Sequence, residues 1–151
     1  MRILLDTAIL VRAHQGASGL ARDLLLELVE SDHVLLISAE MLFELARVLR
    51  YPRMVALHRL SEGSIYDYIG SLREAAEMVR PNPFLITPIR DINDTVVMQT
   101  AIIGEADVLC TKDQDFFGPP AEPFLRRAGV EVLDDIALMH RLRARTDWHR
   151  R

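Results

Sequence analysis

Apolar runs that stop at an acid recur along this chain, and no other feature constrains its fold as tightly. Residues 106–110, Ala-Asp-Val-Leu-Cys, end in Thr111 and then in two carboxylates, Asp113 and Asp115. A short apolar run bounded by polar residues ahead of a helical pattern reads as a buried parallel strand. In open α/β sheets, ligands bind in the crevice beyond the carboxyl ends of such strands. Residues 2–5 repeat the pattern and end at Asp6-Thr7, and residues 34–37 form a third run, with Glu44 about two helical turns beyond it. Phe84 to Ile89, flanked by prolines, reads as a further strand, followed by Asp91 and Asp94. Acids brought to one edge of a sheet repel one another unless a cation lies between them.

The segments between these runs have helical period. Leu24, Leu25, Leu28 and Val29 recur at helical spacing, with Arg22, Asp23, Glu27 and Glu30 away from them. Ser38 is placed to cap a helix that runs to about Leu49, where Tyr51-Pro52 stops it. Its apolar stripe is Leu42, Leu45, Ala46 and Leu49, opposite Glu40, Glu44 and Arg47. A longer helix is expected over Ser61 to Met78, another from Asp91 to Ile103, and a short one from Glu122 to Arg127. A last strand follows at 130–133, and a final helix starts near Asp134-Asp135. Strands alternating with helices give an α/β fold with a mainly parallel sheet of about five strands. A chain of 151 residues fits one domain with a real core.

Composition narrows the chemistry. The net charge of −4 carries no global signature of nucleic-acid binding, so such a partner needs a local basic surface or a bound metal. Lys112 is the only lysine, and the one basic stretch is the tail with Arg141, Arg143, Arg145, Arg150 and Arg151. Cys110 is the only cysteine, which rules out an internal disulfide and suits a reducing cytoplasm. Asp6 cuts the amino-terminal apolar run short, and no run reaches the length of a membrane span. A soluble, cytoplasmic protein is expected.

Taken singly, each acid has an ordinary structural use. Asp6 can be the first polar residue of a turn, Glu44 a solvated glutamate, and Asp91 with Asp94 a helix cap and a first-turn acid. Taken together, Asp6, Glu44, Asp94 and Asp113 offer hard oxygen ligands suited to Mg²⁺ or Mn²⁺. The five histidines (14, 33, 58, 140, 149) lack the spacing of a zinc site. Ions held by carboxylates chiefly serve phosphate chemistry. No P-loop, G-x-S-x-G elbow or Gly-rich dinucleotide fingerprint occurs. A haloacid-dehalogenase-type phosphatase wants a second acid two residues after the first, where this chain has Ala8, and a phospho-receiver domain wants an acidic pair after its first strand.

The ordered series resembles a PIN domain, in particular the VapC-like toxins of prokaryotic toxin–antitoxin systems. It comprises 4–7 (Leu-Leu-Asp-Thr), Ile37-Ser38, 44–49 (Glu-Leu-Ala-Arg-Val-Leu), 91–94 (Asp-Ile-Asn-Asp) and 106–116. The resemblance covers roughly residues 1–137, with 138–151 as the basic helix end and tail of the same domain. It implies a three-layer α/β/α sandwich and a Mg²⁺- or Mn²⁺-dependent ribonuclease. Asp6, Glu44, Asp94 and Asp113 would be its catalytic metal ligands, Asp91 and Asp115 outer ligands or supports, and Thr7 and Thr111 the hydroxyls that steady the aspartates. Lys112 either meets a substrate phosphate or points elsewhere. The resemblance also implies an RNA substrate, a cognate antitoxin and a homodimer. Ala8, where the family often has Asn or Ser, and Thr95, where this subgroup often has Asn, depart from the pattern but remove no carboxylate. The alternative is a catalytically weak or inactive PIN-like module that binds RNA or protein.

Overall fold

The computed structural model describes residues 1–149, so Arg150 and Arg151 of the basic stretch lie outside the described residues. The strands are β1 (Arg2–Leu5), β2 (Val34–Ser38), β3 (Glu77–Val79), β4 (Val108–Cys110) and β5 (Glu131–Leu133). The helices are α1 (Thr7–Arg12), α2 (Leu20–Val29), α3 (Ala39–Leu49), α4 (Pro52–His58), α5 (Glu62–Ala75), α6 (Ile92–Ile103), α7 (Ala121–Arg127) and α8 (Asp135–His149), with a 3₁₀ turn at Gln114–Phe116. All strand pairs are parallel, in the order β3-β2-β1-β4-β5. Helices cover both faces of the sheet in a three-layer α/β/α sandwich. Ile3, Leu4, Leu5, Leu109 and Cys110 are wholly buried, as parallel strands covered on both sides must be.

Two neighbours of β1 come from opposite directions of chain travel. The chain moves outward from β1 through β2 to β3, then returns across the sheet to β4 and β5. The carboxyl ends of β1 and β4, aligned with Leu5 opposite Cys110, therefore flank the point where the order reverses. Crevices for ligands open at such points in doubly wound sheets.

The helix ends follow local chemistry. The Ser38 hydroxyl accepts from the Met41 N–H, and the Ser61 hydroxyl from the Ser64 N–H. Asp91 Oδ1 accepts from both Asn93 and Asp94. Across the helical layer, the buried Tyr68 hydroxyl donates to the Leu10 carbonyl at 2.6 Å, tying α5 to α1.

Several expected element boundaries change. Pro52 does end α3, but it also opens α4, because proline's missing N–H costs nothing in a first helical turn. The helix expected to reach Met78 stops at Ala75, and residues 77–79 pair with β2 as the edge strand β3. The bidentate ion pair from Arg2 of β1 to Glu77, 2.8 Å at its shorter contact, fastens the start of that strand. Phe84 to Ile89 forms no strand. Pro83 and Pro88 have no N–H for a ladder, and Phe84 and Ile86 face solvent. Within the basic stretch, α8 runs on to His149, and the helix buries Leu138, Met139 and Leu142.

At the end of α6, Gly104 lets the helix close down on the sheet. A Cβ there would stand 2.8 Å from the Thr100 carbonyl, 2.9 Å from Val79 Cγ2 and 3.1 Å from Leu36 Cδ1. Gly104→Ala is therefore expected to destabilise the fold by about 1–3 kcal/mol, the usual cost of overpacking. A urea titration measures this, and a midpoint equal to wild type would show that α6 can back away freely.

Candidate metal centre

Asp6 is the best-anchored acid. It leaves β1 as the N-cap of α1, and its Oδ1 accepts the Thr7 N–H at 2.7 Å. Its Oδ2 accepts the Thr111 hydroxyl at 2.7 Å, across the gap between β1 and β4. The Asp6 N–H itself donates to the Cys110 carbonyl, continuing the ladder to its last rung. Thr111 thus meets Asp6 through its hydroxyl, whereas Thr7 meets it through its backbone. Burial pushes the Asp6 carboxyl above its ordinary range, and Asp113 adds to this, while the two hydrogen bonds pull it down.

Asp94 sits in the first turn of α6, half-buried, next to the capping Asp91. One carboxylate oxygen from each of Asp94, Asp113 and Asp115 lies within 4.8 Å of the others. Asp113 is itself ordered by the turn it begins. Its N–H donates to the Thr111 hydroxyl oxygen at 3.1 Å, and its Oδ1 accepts the Asp115 N–H at 3.0 Å. Asp94 also lines a cavity of about 220 Å³ together with Asp6, Thr7, Ala8, Glu44 and Asn93. The carboxylates of four separate segments therefore converge, with Asp94 common to both groupings. Asp91 is not one of the close trio; it caps α6, and its charge acts on Asp94.

Glu44 reaches the cavity from α3 but is not free. Arg47, one helical turn on, holds its Oε2 through Nη2 at 2.6 Å and Nε at 3.0 Å. This contact was legible as an i,i+3 pair on the polar face of the helix. Asn93, beside both the cavity and a larger groove, carries no sequence signal beyond its place in the helix cap. Ala8 brings no polar group to the cavity. The Thr95 hydroxyl donates to the Ile89 carbonyl and receives a hydrogen bond from Thr87, so it braces the preceding loop. Lys112 points toward Asp135, 3.9 Å away.

The electrostatics show the strain of this convergence. Two full charges 4.8 Å apart repel by about 3 kcal/mol at an effective dielectric near 20. The Asp94 carboxyl is pushed up to about 6, first by burial and then by Asp91, Asp113, Asp6 and Asp115. The donor set is all carboxylate oxygen, with no imidazole or thiol among the close trio, which fits a hard divalent ion such as Mg²⁺ or Mn²⁺ and not zinc.

A stability test follows from Asp94. Its folded-state pKa lies above the ordinary 3.8, so its favourable contribution is fully present below that value and is lost as pH rises through about 6. In metal-free protein, Asp94→Asn is expected to raise the melting temperature relative to wild type at pH 7.5 and to lose that advantage at pH 4. Thermal melts in a chelating buffer read this directly; an unchanged or lowered melting temperature at pH 7.5 would mean that the cluster is not strained.

A family model described as PIN domain matches residues 2–115. The crystal structure of VapBC2 from Rickettsia felis, bound to a DNA fragment from their promoter, contains a chain of the same fold. The TM-score is 0.58 at 16% identity, covering 89% of this chain and 98% of that one. No curated protein matches the chain. With the PIN model spanning both the sheet's reversal point and every acid of the cluster, the chain belongs to the PIN-domain family.

Proposed function

We propose that the protein is a Mg²⁺- or Mn²⁺-dependent endoribonuclease, acting in the cytoplasm as the toxin of a toxin–antitoxin pair. The observation that carries the reading is the close trio of Asp94, Asp113 and Asp115 near the reversal point of the sheet, with Asp6 and Glu44 sharing a cavity with Asp94. These are the residues that would hold the ion. A divalent ion there supplies Lewis acidity, offsetting charge on the phosphate oxygens and on the departing alkoxide. The reaction is hydrolysis: a water oxygen bonds to phosphorus, the phosphorus–ribose oxygen bond breaks, and the water's proton must be taken up.

The chain's own residues supply the rest. Thr111 and the Thr7 amide fix Asp6, so one wall of the site does not need to reorganise. A carboxylate of the cluster that the ion leaves free would take up the water's proton. Asp113 and Asp115 extend the carboxylate wall on the β4 side, and Asp91 holds the first turn of α6 in place. The exposed face of this edge is acidic, so RNA binding is expected to fall when metal is withheld.

The partner side of the proposal rests on a groove of about 700 Å³ next to the acids. It is lined by Met41, Phe43, Glu44, Arg47, Ile92 and Val96, among others, and Phe43 and Ile92 are each 75% exposed. An apolar groove that opens onto a catalytic site suits an inhibiting segment of a cognate antitoxin or a second subunit of a homodimer. The solved neighbour, VapBC2, is likewise a complex.

A second reading, a PIN-like module that binds RNA or protein without cutting, draws on one observation. The Glu44 carboxylate is already engaged by Arg47, which competes with an ion for it. One experiment separates the two readings. Purified protein with Mn²⁺ is expected to cleave structured RNA, chelation to stop it, and Asp6→Asn or Asp94→Asn to cut the rate by about 100-fold or more, in the range for lost acid–base groups. Cleavage undiminished in both variants would identify a contaminating nuclease and refute the assignment.

A further inference from the structure

The carboxyl edge of the sheet extends past the acid cluster. Beyond β4, strand β5 delivers Asp134 and Asp135 to the same edge. Asp134 accepts the Ala137 N–H at 2.8 Å and serves the start of α8. Asp135 differs, because its side chain is 3% exposed and its Oδ1 accepts the Ile136 N–H at 3.1 Å. Two cations face it from two other elements. Arg12, in the last turn of α1, brings Nη2 to 3.8 Å from Oδ2, and Lys112, directly after Thr111, brings Nζ to 3.9 Å from Oδ1.

These separations are too long for hydrogen bonds and leave a coulombic contact. The two cationic side chains are 46% and 53% exposed. Arg12 Nε makes one long contact to the Ala8 carbonyl, 3.5 Å, and Lys112 Nζ makes no hydrogen bond among the described residues. A buried carboxylate therefore attracts two positive heads to the rim by charge alone, and both side chains remain about half exposed. A charge as buried as Asp135 is tolerated only when cations attend it.

The position of the pair is what gives it a use. Lys112 lies between Thr111, which bonds to Asp6, and Asp113 of the acid cluster. Arg12 ends the helix that Asp6 caps, about 9 Å further along its axis. Both lie on the β5 side of the site, away from Glu44 and the apolar groove. The acids themselves repel a polyanion, and the chain's net charge of −4 offers it no general attraction. A strand leaving the scissile position toward β5 meets these cations next.

We propose that Arg12 and Lys112, oriented by the buried Asp135, form a phosphate subsite for the RNA backbone flanking the bond to be cut. The subsite rests on the ribonuclease reading above. Arg12 and Lys112 touch the substrate, and Asp135 is a positioning residue that acts through them. The competing account is that two surface cations do nothing except neutralise a buried acid.

Salt dependence of RNA binding separates these accounts. A fluorescent single-stranded RNA oligonucleotide is titrated with protein in Mn²⁺, on an Asp94→Asn background that leaves the strand intact, between roughly 50 and 200 mM salt. Replacing both Arg12 and Lys112 by Ala is expected to weaken binding and to lower the slope of log affinity against log salt by about 1.4, two contacts at about 0.7 each. Arg73→Ala serves as the control. It is an exposed arginine in the last turn of α5, just before β3 begins, and so lies at the opposite edge of the sheet. Its slope is expected to equal that of the parent. Asp135→Asn is expected to weaken binding as the cations lose their anchor. Tighter binding, the sign that loss of a negative charge alone produces, would overturn the positioning role. A double variant with the parent's slope would overturn the subsite even if wild type cleaves RNA. A wild type that neither cleaves nor binds RNA in Mn²⁺ would remove the ribonuclease reading and this subsite together.

Discussion

The hydrogen bond from Thr111 to Asp6 joins the two strands between which the sheet changes direction, and the arrangement of the site depends on it. β1 and β4 are neighbours in space but a hundred residues apart in the chain, held in register by buried apolar residues that have no other place to go. At the last rung the apolar code stops, and polar groups take over the alignment. The Asp6 N–H completes the ladder to Cys110, while its carboxylate ties the β4 exit to the α1 entry. Every other acid is placed relative to this junction: Asp113 by the same threonine, Asp94 by the cap of α6, and Glu44 by a helix capped at Ser38.

The junction concentrates charge of one sign. Folding brings carboxylates from α3, α6 and the β1 exit to one cavity and sets those of the β4 exit beside Asp94, and the shifts of Asp6 and Asp94 register the resulting cost. Helix dipoles and N–H donors offset part of it, since Asp6, Asp91 and Asp113 each accept backbone hydrogen bonds at an element's start. Those bonds fix the acids in place without neutralising them. Nearby cations go elsewhere: Arg47 to Glu44, and Arg12 and Lys112 to Asp135. The trio of Asp94, Asp113 and Asp115 is left without a basic side chain in its ion pairs among the described residues, which is the condition that a divalent ion relieves.

Much of this was legible in the residues. Fully apolar strands ending in acids, the caps at Ser38, Ser61 and Asp91, and the amphipathic stripe of α3 each have a local cause that a sequence displays. The misread elements lacked one. Three residues are enough for β3, and Glu77 to Val79 continue the periodicity of α5, so only pairing with β2 distinguishes them. Pro52 carries both a stop and a start signal, and the run at 84–89 looks strand-like until its prolines are set against a ladder's need for donors. Asp135 was hidden for a different reason. At a helix start an acid reads as dipole chemistry, and nothing local shows that β5 buries it against cations from α1 and the β4 exit.

Paramagnetic broadening by Mn²⁺ in a backbone NMR spectrum reports directly where a divalent ion settles. At Mn²⁺ well below the protein concentration, the amide resonances of Asp6, Thr7, Asp94 and Thr111 to Asp115 are expected to fade together. Those near other exposed acids such as Glu30 and Glu105 should persist. Broadening spread evenly over the acidic surface, or absent from either the β1 or the β4 exit, would contradict the claim that these carboxylates form one cation site.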